Sequence, residues 1–217
     1  MKWMKKLLYI IANSKAEEVS SCRTVSRRLV NAIVAKAPDI VVEELDLYTN
    51  HIPQLKGCYF QGRSAIVDSN SRSNLSPEEQ NEVALIEQLC DQFKTADIYI
   101  LAAPMWSLSF PAPVKEYLDC IIQTGKTIKI EKDMPHGLLK DKRRIFIYVQ
   151  SSGANVPWIL RNALNKGLNY VHDIMDFLGI ETFKELLVDG TGTSEADRQN
   201  AIKKATEEIE PLVAKLF

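Results

Sequence analysis

Ile98-Tyr99-Ile100-Leu101-Ala102-Ala103 is a continuous apolar run in the middle of the chain. Two similar runs flank it, Leu7-Leu8-Tyr9-Ile10-Ile11-Ala12 and Ile145-Phe146-Ile147-Tyr148-Val149. Apolar and polar residues do not alternate in these runs, which is typical of strands that are covered on both faces of a parallel sheet. Weaker runs at residues 40–45 and 186–188 predict two more strands. The sequence therefore predicts a five-stranded sheet.

Amphipathic stretches separate the apolar runs and predict helices between the strands. The clearest begins at Ser76-Pro77-Glu78-Glu79, where a capping serine is followed by proline and, three positions after the cap, by glutamate. The other predicted helices cover about 21–35, 113–125, 158–178 and 194–216, and Pro211 is expected to weaken the last of them. Strands and helices that alternate in this way predict a doubly wound α/β fold with helices on both faces of the sheet, here as a single domain over residues 1–217.

Composition and charge exclude several classes of protein. The chain has 217 residues, of which 46% are apolar and 25% charged, as in an average globular domain. Its 27 basic and 28 acidic residues give a net charge of −1, so no nucleic-acid or anionic membrane partner is expected. The same balance argues against a small acidic electron carrier. No apolar segment approaches the roughly 20 residues that span a bilayer, and the run that starts at Leu7 is too short for a signal peptide.

The cysteines give no sign of a metal site or a disulfide framework. Cys22, Cys58, Cys90 and Cys120 form no CxxC pair, and none has a histidine at metal-ligand spacing. We therefore expect no bound metal. Reduced thiols in a cytoplasmic protein fit this pattern best.

The loops that follow the predicted strands are the natural place for a ligand, because open α/β sheets bind ligands beyond the carboxyl ends of their strands. The chain contains neither a GxGxxG sequence nor a Walker A loop. The first loop is instead rich in hydroxyl groups (Ser14, Ser20, Ser21) and opens the first helix. Its free N–H groups suit a phosphate, although these serines can equally serve only as helix caps.

Two further loops complete the predicted site. The segment 104–111 places Met105 and Trp106 between prolines at the end of the third strand, where they can form a flat apolar wall. Gln150-Ser151-Ser152-Gly153 follows the fourth strand and offers polar backbone groups. Each loop alone is also explained by packing or an ordinary turn. Together they describe a mononucleotide site for a planar ring. The irregular stretch 48–75 is typical of a functional or mobile loop, and it can either cover the site or support a dimer.

Several segments in the second half of the chain carry a family resemblance. Ala102-Ala103-Pro104-Met105-Trp106, Leu118-Asp119, Thr124-Gly125-Lys126-Thr127 and His136-Gly137-Leu138-Leu139, with the Leu-Ser-Pro-Glu-Glu-Gln run at 75–80, resemble the FMN-dependent NADH-azoreductases. These belong to the NAD(P)H:quinone oxidoreductase group with a flavodoxin-like fold. The resemblance covers nearly the whole chain. It implies non-covalently bound FMN, NADH or NADPH as reductant, a quinone or azo compound as acceptor, and a homodimer with active sites at the interface.

The resemblance also implies roles for individual residues. Ser14 and Ser20-Ser21-Cys22 are expected to hold the FMN phosphate and ribityl chain. Pro104-Met105-Trp106-Ser107-Leu108 are expected along the isoalloxazine, and Gln150-Ser151-Ser152-Gly153 at its pyrimidine edge. Trp106 and Ile128, the latter from the partner subunit, are expected to line the substrate pocket, with plain core packing as the alternative for both.

The sequence departs from the family pattern at three places that concern flavin affinity. Cys22 stands where the pattern has serine, Ser107 where it commonly has asparagine, and Gly153-Ala154 where it commonly has two glycines. Cys22 keeps the backbone N–H but loses a strong hydroxyl donor.

The expected reaction is a ping-pong two-electron transfer in which NADH reduces FMN, leaves, and is replaced by the acceptor. No catalytic side chain is expected, because the cofactor performs the chemistry. Two alternatives stay open. One is a flavin-binding electron carrier or redox sensor without NAD(P)H turnover of its own, and the other is an α/β scaffold that has lost its flavin. The physiological acceptor and the choice between NADH and NADPH are not determined by the sequence.

Overall fold

Five parallel strands form the centre of the protein in a computed structural model that describes residues 5–61, 65–155 and 158–216. The strands are β1 (Lys6–Ile11), β2 (Val41–Asp46), β3 (Ile98–Pro104), β4 (Ile145–Ser152) and β5 (Thr182–Asp189). They pair in the order β2-β1-β3-β4-β5, and every neighbouring pair is parallel. This is the strand order of a flavodoxin-like doubly wound sheet, so the predicted fold class is confirmed.

Helices pack on both faces of this sheet. They are α1 (Ser21–Lys36), α2 (Ser69–Arg72), α3 (Pro77–Thr95), α4 (Ala112–Ile121), α5 (Trp158–Leu164), α6 (Lys166–Leu178), α7 (Glu195–Glu207) and α8 (Ile209–Ala214). Successive residues of a strand point to opposite faces. Leu7, Tyr9 and Ile11 therefore pack with α1, α7 and α8, while Leu8 and Ile10 share the other core with α3, α4 and α6.

Two helices that the sequence predicts as continuous are each divided in two. The predicted helix 158–178 is interrupted at Asn165, whose side chain accepts a hydrogen bond from the Leu168 N–H at 3.3 Å and caps α6. The predicted helix 194–216 is interrupted at Glu208. Pro211 lies in the first turn of α8, where its missing N–H has no intrahelical partner to lose.

The segment between α4 and β4 also differs from the prediction. Helix α4 ends at Ile121 rather than near Gly125. There the Thr127 hydroxyl donates a hydrogen bond of 2.6 Å to the Ile121 carbonyl, in place of a bond that would continue the helix. The chain then forms an antiparallel hairpin, Ile128–Glu131 with Met134–Gly137, that was not predicted. The irregular stretch 48–75 contains a 3₁₀ turn at Gly57–Tyr59, a short pairing of Phe60–Gln61 with Ala65–Ile66, and α2. These differences leave the sheet and its carboxyl edge as predicted.

Candidate functional site

A cavity of about 350 Å³ opens at the edge where the parallel strands end, and we call it the carboxyl-edge cavity. Its size falls within the range of small-molecule sites. It lies where the strand order reverses between β1 and β3, the position at which doubly wound folds bind ligands. Its lining comes from four loops and the helices that follow them: Asn13, Lys15, Val19, Ser20, Ser21, Pro104, Met105, Trp106, Ser151, Ser152, Gly153, Thr191, Gly192, Thr193, Ser194, Glu195 and Arg198.

The N-terminus of α1 forms one end of the cavity. Ser20 caps the helix and accepts a hydrogen bond from the Arg23 N–H at 3.4 Å. The Asn13 amide donates to the Ser20 hydroxyl at 2.8 Å and lies 3.4 Å from the Cys22 sulfur. The N–H groups of Ser21 and Cys22 have no acceptor within the helix, because the first turn of any helix lacks them. This end therefore carries a partial positive charge suited to a phosphate.

Arg23 fixes the loop that precedes α1. Its guanidinium donates to the carbonyl oxygens of Asn13 and Lys15 at 3.1 and 3.0 Å, and it pairs with Asp46 at 3.2 Å. Ser14, within this loop, is exposed and does not line the cavity. Lys15, in the same loop, is exposed and lines the cavity.

Pro104, Met105 and Trp106 form the apolar wall of the cavity, and a strained turn at residues 106–109 ends it. The Trp106 N–H donates to the Ser109 carbonyl at 3.0 Å, and the Ser109 N–H returns a bond of 2.8 Å. Ser107 and Leu108 have φ angles of 51° and 61°, so this is a type I′ turn without the glycine or asparagine it favours. Such strain is characteristic of functional sites. Trp106 is 45% exposed, so core packing is the wrong interpretation for it.

The predicted loop at 150–153 is wrong in part, because β4 continues to Ser152 and pairs there with β3 and β5. This carboxyl end of β4, with Gly153 after it, is held from both sides. The Ser151 carbonyl accepts from the Met105 N–H at 2.7 Å, and the Ser152 and Gly153 carbonyls accept from Thr191 and Gly192, each at 3.0 Å. A Cβ atom placed on Gly153 would meet no atom within 4 Å. This segment is thus fixed in place while one of its residues faces open space.

The structure brings together only part of the predicted site. The predicted residues that line the cavity are Ser20, Ser21, Pro104, Met105, Trp106, Ser151, Ser152 and Gly153. Those that do not line it are Ser14, Cys22, Ser107, Leu108, Gln150 and Ile128. Gln150 is buried, and its side chain is paired with Asn165 instead of pointing to the cavity. Ile128 is 8% exposed and packs in the core with α3 and α4. Its role in a partner's pocket stays a prediction.

Sequence reasoning missed the loop after β5, where Thr191, Gly192, Thr193 and Ser194 line the cavity together with Glu195 and Arg198. The Gly190-Thr191-Gly192 fragment before the last helix was the available signal. The register that pairs Ser152 with Asp189 brings this loop beside Gly153. Arg198 binds both Glu195 carboxylate oxygens at 2.8 Å, which lowers the pKa of Glu195 to about 2. Glu195 is therefore a carboxylate at neutral pH.

The ionisable side chains of the cavity lining are few. Among the described residues of the lining, the ionisable side chains are those of Lys15, Glu195 and Arg198, and histidine and cysteine are absent from this described set. A general acid or base works best with a pKa near the operating pH, so this lining favours binding and orientation over proton transfer. In the described ranges there is no cluster of three or more His, Cys, Asp or Glu residues arranged for a metal, and no helix there has the length and apolarity to cross a bilayer.

Comparisons with known proteins agree with the fold and extend to close relatives. A family profile described as the flavodoxin-like fold matches residues 5–212. The FMN-dependent NADH:quinone oxidoreductase of Ruminiclostridium cellulolyticum is 65% identical over 210 residues, which are 97% of this chain and 99% of the relative. The chain belongs to the flavodoxin-like family of these oxidoreductases. The family predicted from the sequence is therefore confirmed.

Other members of the family show how far the likeness extends. The FMN-dependent NADH:quinone oxidoreductase of Clostridium botulinum is 52% identical over 211 residues, which are 97% of this chain and 98% of the relative. Among solved structures, an FMN-dependent NADH-azoreductase from Bacillus anthracis in complex with FMN matches with a TM-score of 0.81. It is 23% identical and covers 98% of this chain and 99% of its own, so the likeness to it is one of fold.

Proposed function

We propose that this chain is an FMN-dependent oxidoreductase that uses NADH to reduce quinones and azo compounds. The observation that carries the proposal is the carboxyl-edge cavity, in which a helix N-terminus, an exposed aromatic wall and a fixed polar segment face one space. The 65% identity to an FMN-dependent NADH:quinone oxidoreductase supports it over nearly the full length of both chains.

The residues of the cavity fit FMN group by group. The N-terminal N–H groups of α1, with the Ser20 cap beside them, suit the phosphate. The flat wall from Pro104 to Trp106 suits the isoalloxazine, and the segment from Ser151 to Gly153 offers backbone groups for the pyrimidine edge. Cys22 and Ser107 follow lining residues in the chain but do not line the cavity themselves, so their contacts to FMN stay a prediction.

When bound, FMN would supply the two-electron chemistry between NADH and the acceptor. The chain's own contribution is to bind and orient the cofactor and to shield its reacting face from water. The segment from Ser151 to Gly153 lines the cavity, and polar groups there would stabilise negative charge at the ring edge. Trp106 and Leu108, which are exposed beside the cavity, would exclude water from the reacting face. No side chain needs to act as a nucleophile.

The same geometry supports a ping-pong order. If FMN fills the carboxyl-edge cavity, both substrates would use the face of the ring that stays open, so the nicotinamide would leave before the acceptor takes its place. Initial velocities measured against NADH at several concentrations of a water-soluble naphthoquinone are expected to give parallel double-reciprocal lines. Intersecting lines would overturn the ping-pong order. Protein that retains FMN but shows no turnover with NADH would instead be interpreted as an electron carrier.

A homodimer is part of the proposal. Large apolar side chains are exposed on the 106–109 turn and on the neighbouring helices α5 and α6: Trp106, Leu108, Ile159, Leu160 and Tyr170. Exposed apolar side chains grouped in this way are typical of protein interfaces. A second copy would cover them and bring its own residues to the cavity mouth, as expected for Ile128.

Cellular location and domain organisation also remain proposals. All four cysteines are free thiols, three of them buried, which supports a reducing cytoplasmic location. A single sheet takes strands from residues 6 to 189 and is packed on both faces, which supports one domain over residues 1–217.

A further inference from the structure

The 106–109 turn reaches the cavity through Trp106, and its internal hydrogen bonds are the two between Trp106 and Ser109. Ser107 and Leu108 are exposed and left-handed, a conformation that L-residues other than glycine adopt with strain. The turn docks on the first turn of α6, where the Gly167 N–H donates to the Leu108 carbonyl at 3.1 Å. A Cβ on Gly167 would lie 2.7 Å from the Ser109 backbone. The position of α6 therefore sets the position of the turn.

The first turn of α6 is in turn fixed by a buried pair of amide side chains. Gln150 Nε2 donates to Asn165 Oδ1 at 3.0 Å, and Asn165 Nδ2 donates to Gln150 Oε1 at 2.5 Å. The two residues are 0% and 2% exposed, so each satisfies the other where water cannot. Asn165 Oδ1 also accepts from the Leu168 N–H. This double role explains why the predicted helix 158–178 is interrupted at this residue.

These contacts link the end of β4, the 106–109 turn and the start of α6 to one another. Gln150 precedes Ser151, whose carbonyl accepts from the Met105 N–H at 2.7 Å directly before the turn. The turn contacts α6, α6 is capped by Asn165, and Asn165 returns to Gln150. Neither amide lines the cavity. Both can act on a bound ligand only indirectly, through the turn or, for Gln150, through its neighbour Ser151.

We infer that the Gln150–Asn165 amide pair is a positioning device for the 106–109 turn, and that through this turn it sets the geometry of electron transfer. The second part rests on the proposed function. A misplacement of about 1 Å at a reacting centre lowers rates by up to about 100-fold. Loss of the pair therefore lowers the rate of flavin reduction at saturating NADH, while FMN affinity, set largely at the α1 N-terminus, changes much less.

The test uses Gln150→Leu and Asn165→Leu in the full-length protein, with Gln123→Leu as the matched control. Gln123 is 1% exposed and bonded to two carbonyls of α4, away from the cavity. The first readout is amide hydrogen exchange of Trp106 and Ser109 in cofactor-free protein. We expect both amides to exchange at least about tenfold faster in the two pair variants, a change of about 1.4 kcal/mol in opening, and to be unchanged in Gln123→Leu.

The second readout is anaerobic reduction of the FMN-loaded protein by NADH, with an expected loss of about 10- to 100-fold in the limiting rate. Wild-type exchange at Trp106 and Ser109 in folded pair variants would overturn the inference. If the single variants do not fold, the exchanged pair Gln150→Asn/Asn165→Gln keeps two amides facing each other, and it should protect the turn. An unprotected turn in that folded variant would also overturn the inference. The exchange result does not depend on FMN, so it stands even if the proposed function fails.

Discussion

The two edges of the sheet are built from different interactions. At the amino edge, where the strands begin, charged side chains hold the chain together. Lys142 pairs with Asp97 at 2.5 Å, Arg144 pairs with Asp141 at 2.6 Å, and the Lys6 N–H donates to Asp97 at 2.9 Å. At the carboxyl edge, amides, hydroxyls and backbone groups bond to one another around a cavity and a left-handed turn.

The difference indicates that the amino edge contributes mainly to stability and the carboxyl edge mainly to ligand binding. Ion pairs and a buried guanidinium fix the amino edge. The carboxyl edge keeps strained and open features that folding alone does not require. Substitutions of exposed residues that line the carboxyl-edge cavity should therefore change ligand binding at nearly constant stability, and substitutions of the buried charged groups at the amino edge should do the reverse.

The largest effect is expected from filling the cavity. Gly153→Phe places a ring where a Cβ meets nothing within 4 Å, so the fold has room for it but the cavity does not. We expect the variant to lose FMN on desalting, with an affinity at least about 100-fold below wild type, a difference of about 2.7 kcal/mol. The melting temperature of the cofactor-free protein should stay within the range of a surface substitution.

Gly57→Phe is the matched control for this variant. A Cβ at Gly57 also meets nothing within 4 Å, and this glycine is likewise exposed but does not line the cavity. Its FMN affinity should equal that of wild type. Equal FMN affinities in the two glycine variants would show that the flavin binds elsewhere.

The next largest effect is expected on stability, when the buried arginine at the amino edge is replaced. Arg144 has a side chain 1% exposed and donates to the carbonyls of Leu139 and Lys94. Arg144→Met leaves these buried acceptors without their donors, and we expect a loss of about 2–4 kcal/mol in the free energy of unfolding. Denaturant titration measures it. Arg143→Met is the control, because this neighbouring arginine is exposed.

FMN affinity decides whether the two edges are independent. The dissociation constant of FMN for folded Arg144→Met should match wild type. A large loss of FMN affinity in this variant would contradict the separation of the two edges.

The elements of the sheet were predictable because their signal is local. The apolar runs mark β1, β3 and β4, and the serine, proline and glutamate at Ser76–Glu79 mark the start of α3. The capping box was found where it was expected. A strand that is buried on both faces shows this in its own residues, so sequence alone was sufficient.

The missed features depend on partners distant in sequence. Asn165 interrupts a helix because Gln150, fifteen residues earlier, needs a buried partner. Gln150 was for the same reason assigned to the cavity, since an amide at a strand end gives no sign of which way it points. Thr191 lines the cavity only because β4 and β5 pair in a register that the sequence does not display.

A smaller effect tests the α1 end of the cavity. Cys22 Sγ lies 3.4 Å from both the Asn13 amide and the Ser20 hydroxyl, contacts that sulfur makes weakly. Residue 22 does not line the cavity, but Cys22→Ser gives Asn13 and Ser20, which do, a stronger hydrogen-bond partner at the helix N-terminus. We expect FMN to bind up to about tenfold more tightly, the worth of roughly one hydrogen bond.

Fluorescence titration of FMN measures this change. Cys90→Ser, at another buried free cysteine that does not line the cavity, is the control and should leave the affinity unchanged. Weaker binding by Cys22→Ser would show that the thiol is the better group at this position.

The smallest effect is a pH dependence at the amino edge. Hydrogen bonds from Arg144 lower the pKa of Asp141 below its usual 3.8. The folded protein therefore holds this carboxylate ionised, so its contribution is present above about pH 4 and is lost as the pH falls through the lowered value. Because Asp141 is 58% exposed, solvent screening limits the contribution to about 1 kcal/mol or less.

Unfolding titrations of wild type and Asp141→Asn at several pH values measure this contribution. The stability difference between them should shrink as the solution becomes acidic. A difference that grows on acidification would have the wrong sign for an ion pair with Arg144.

The central claim is that FMN bound in the carboxyl-edge cavity is reduced by NADH and reoxidised by a quinone. The most direct measurement is the visible absorbance spectrum of protein reconstituted with FMN, desalted, and mixed with NADH without oxygen. The account predicts that flavin is retained, bleaches within a turnover time and recovers when a quinone is added. Protein that retains no flavin, or that retains flavin which NADH does not bleach, would contradict it.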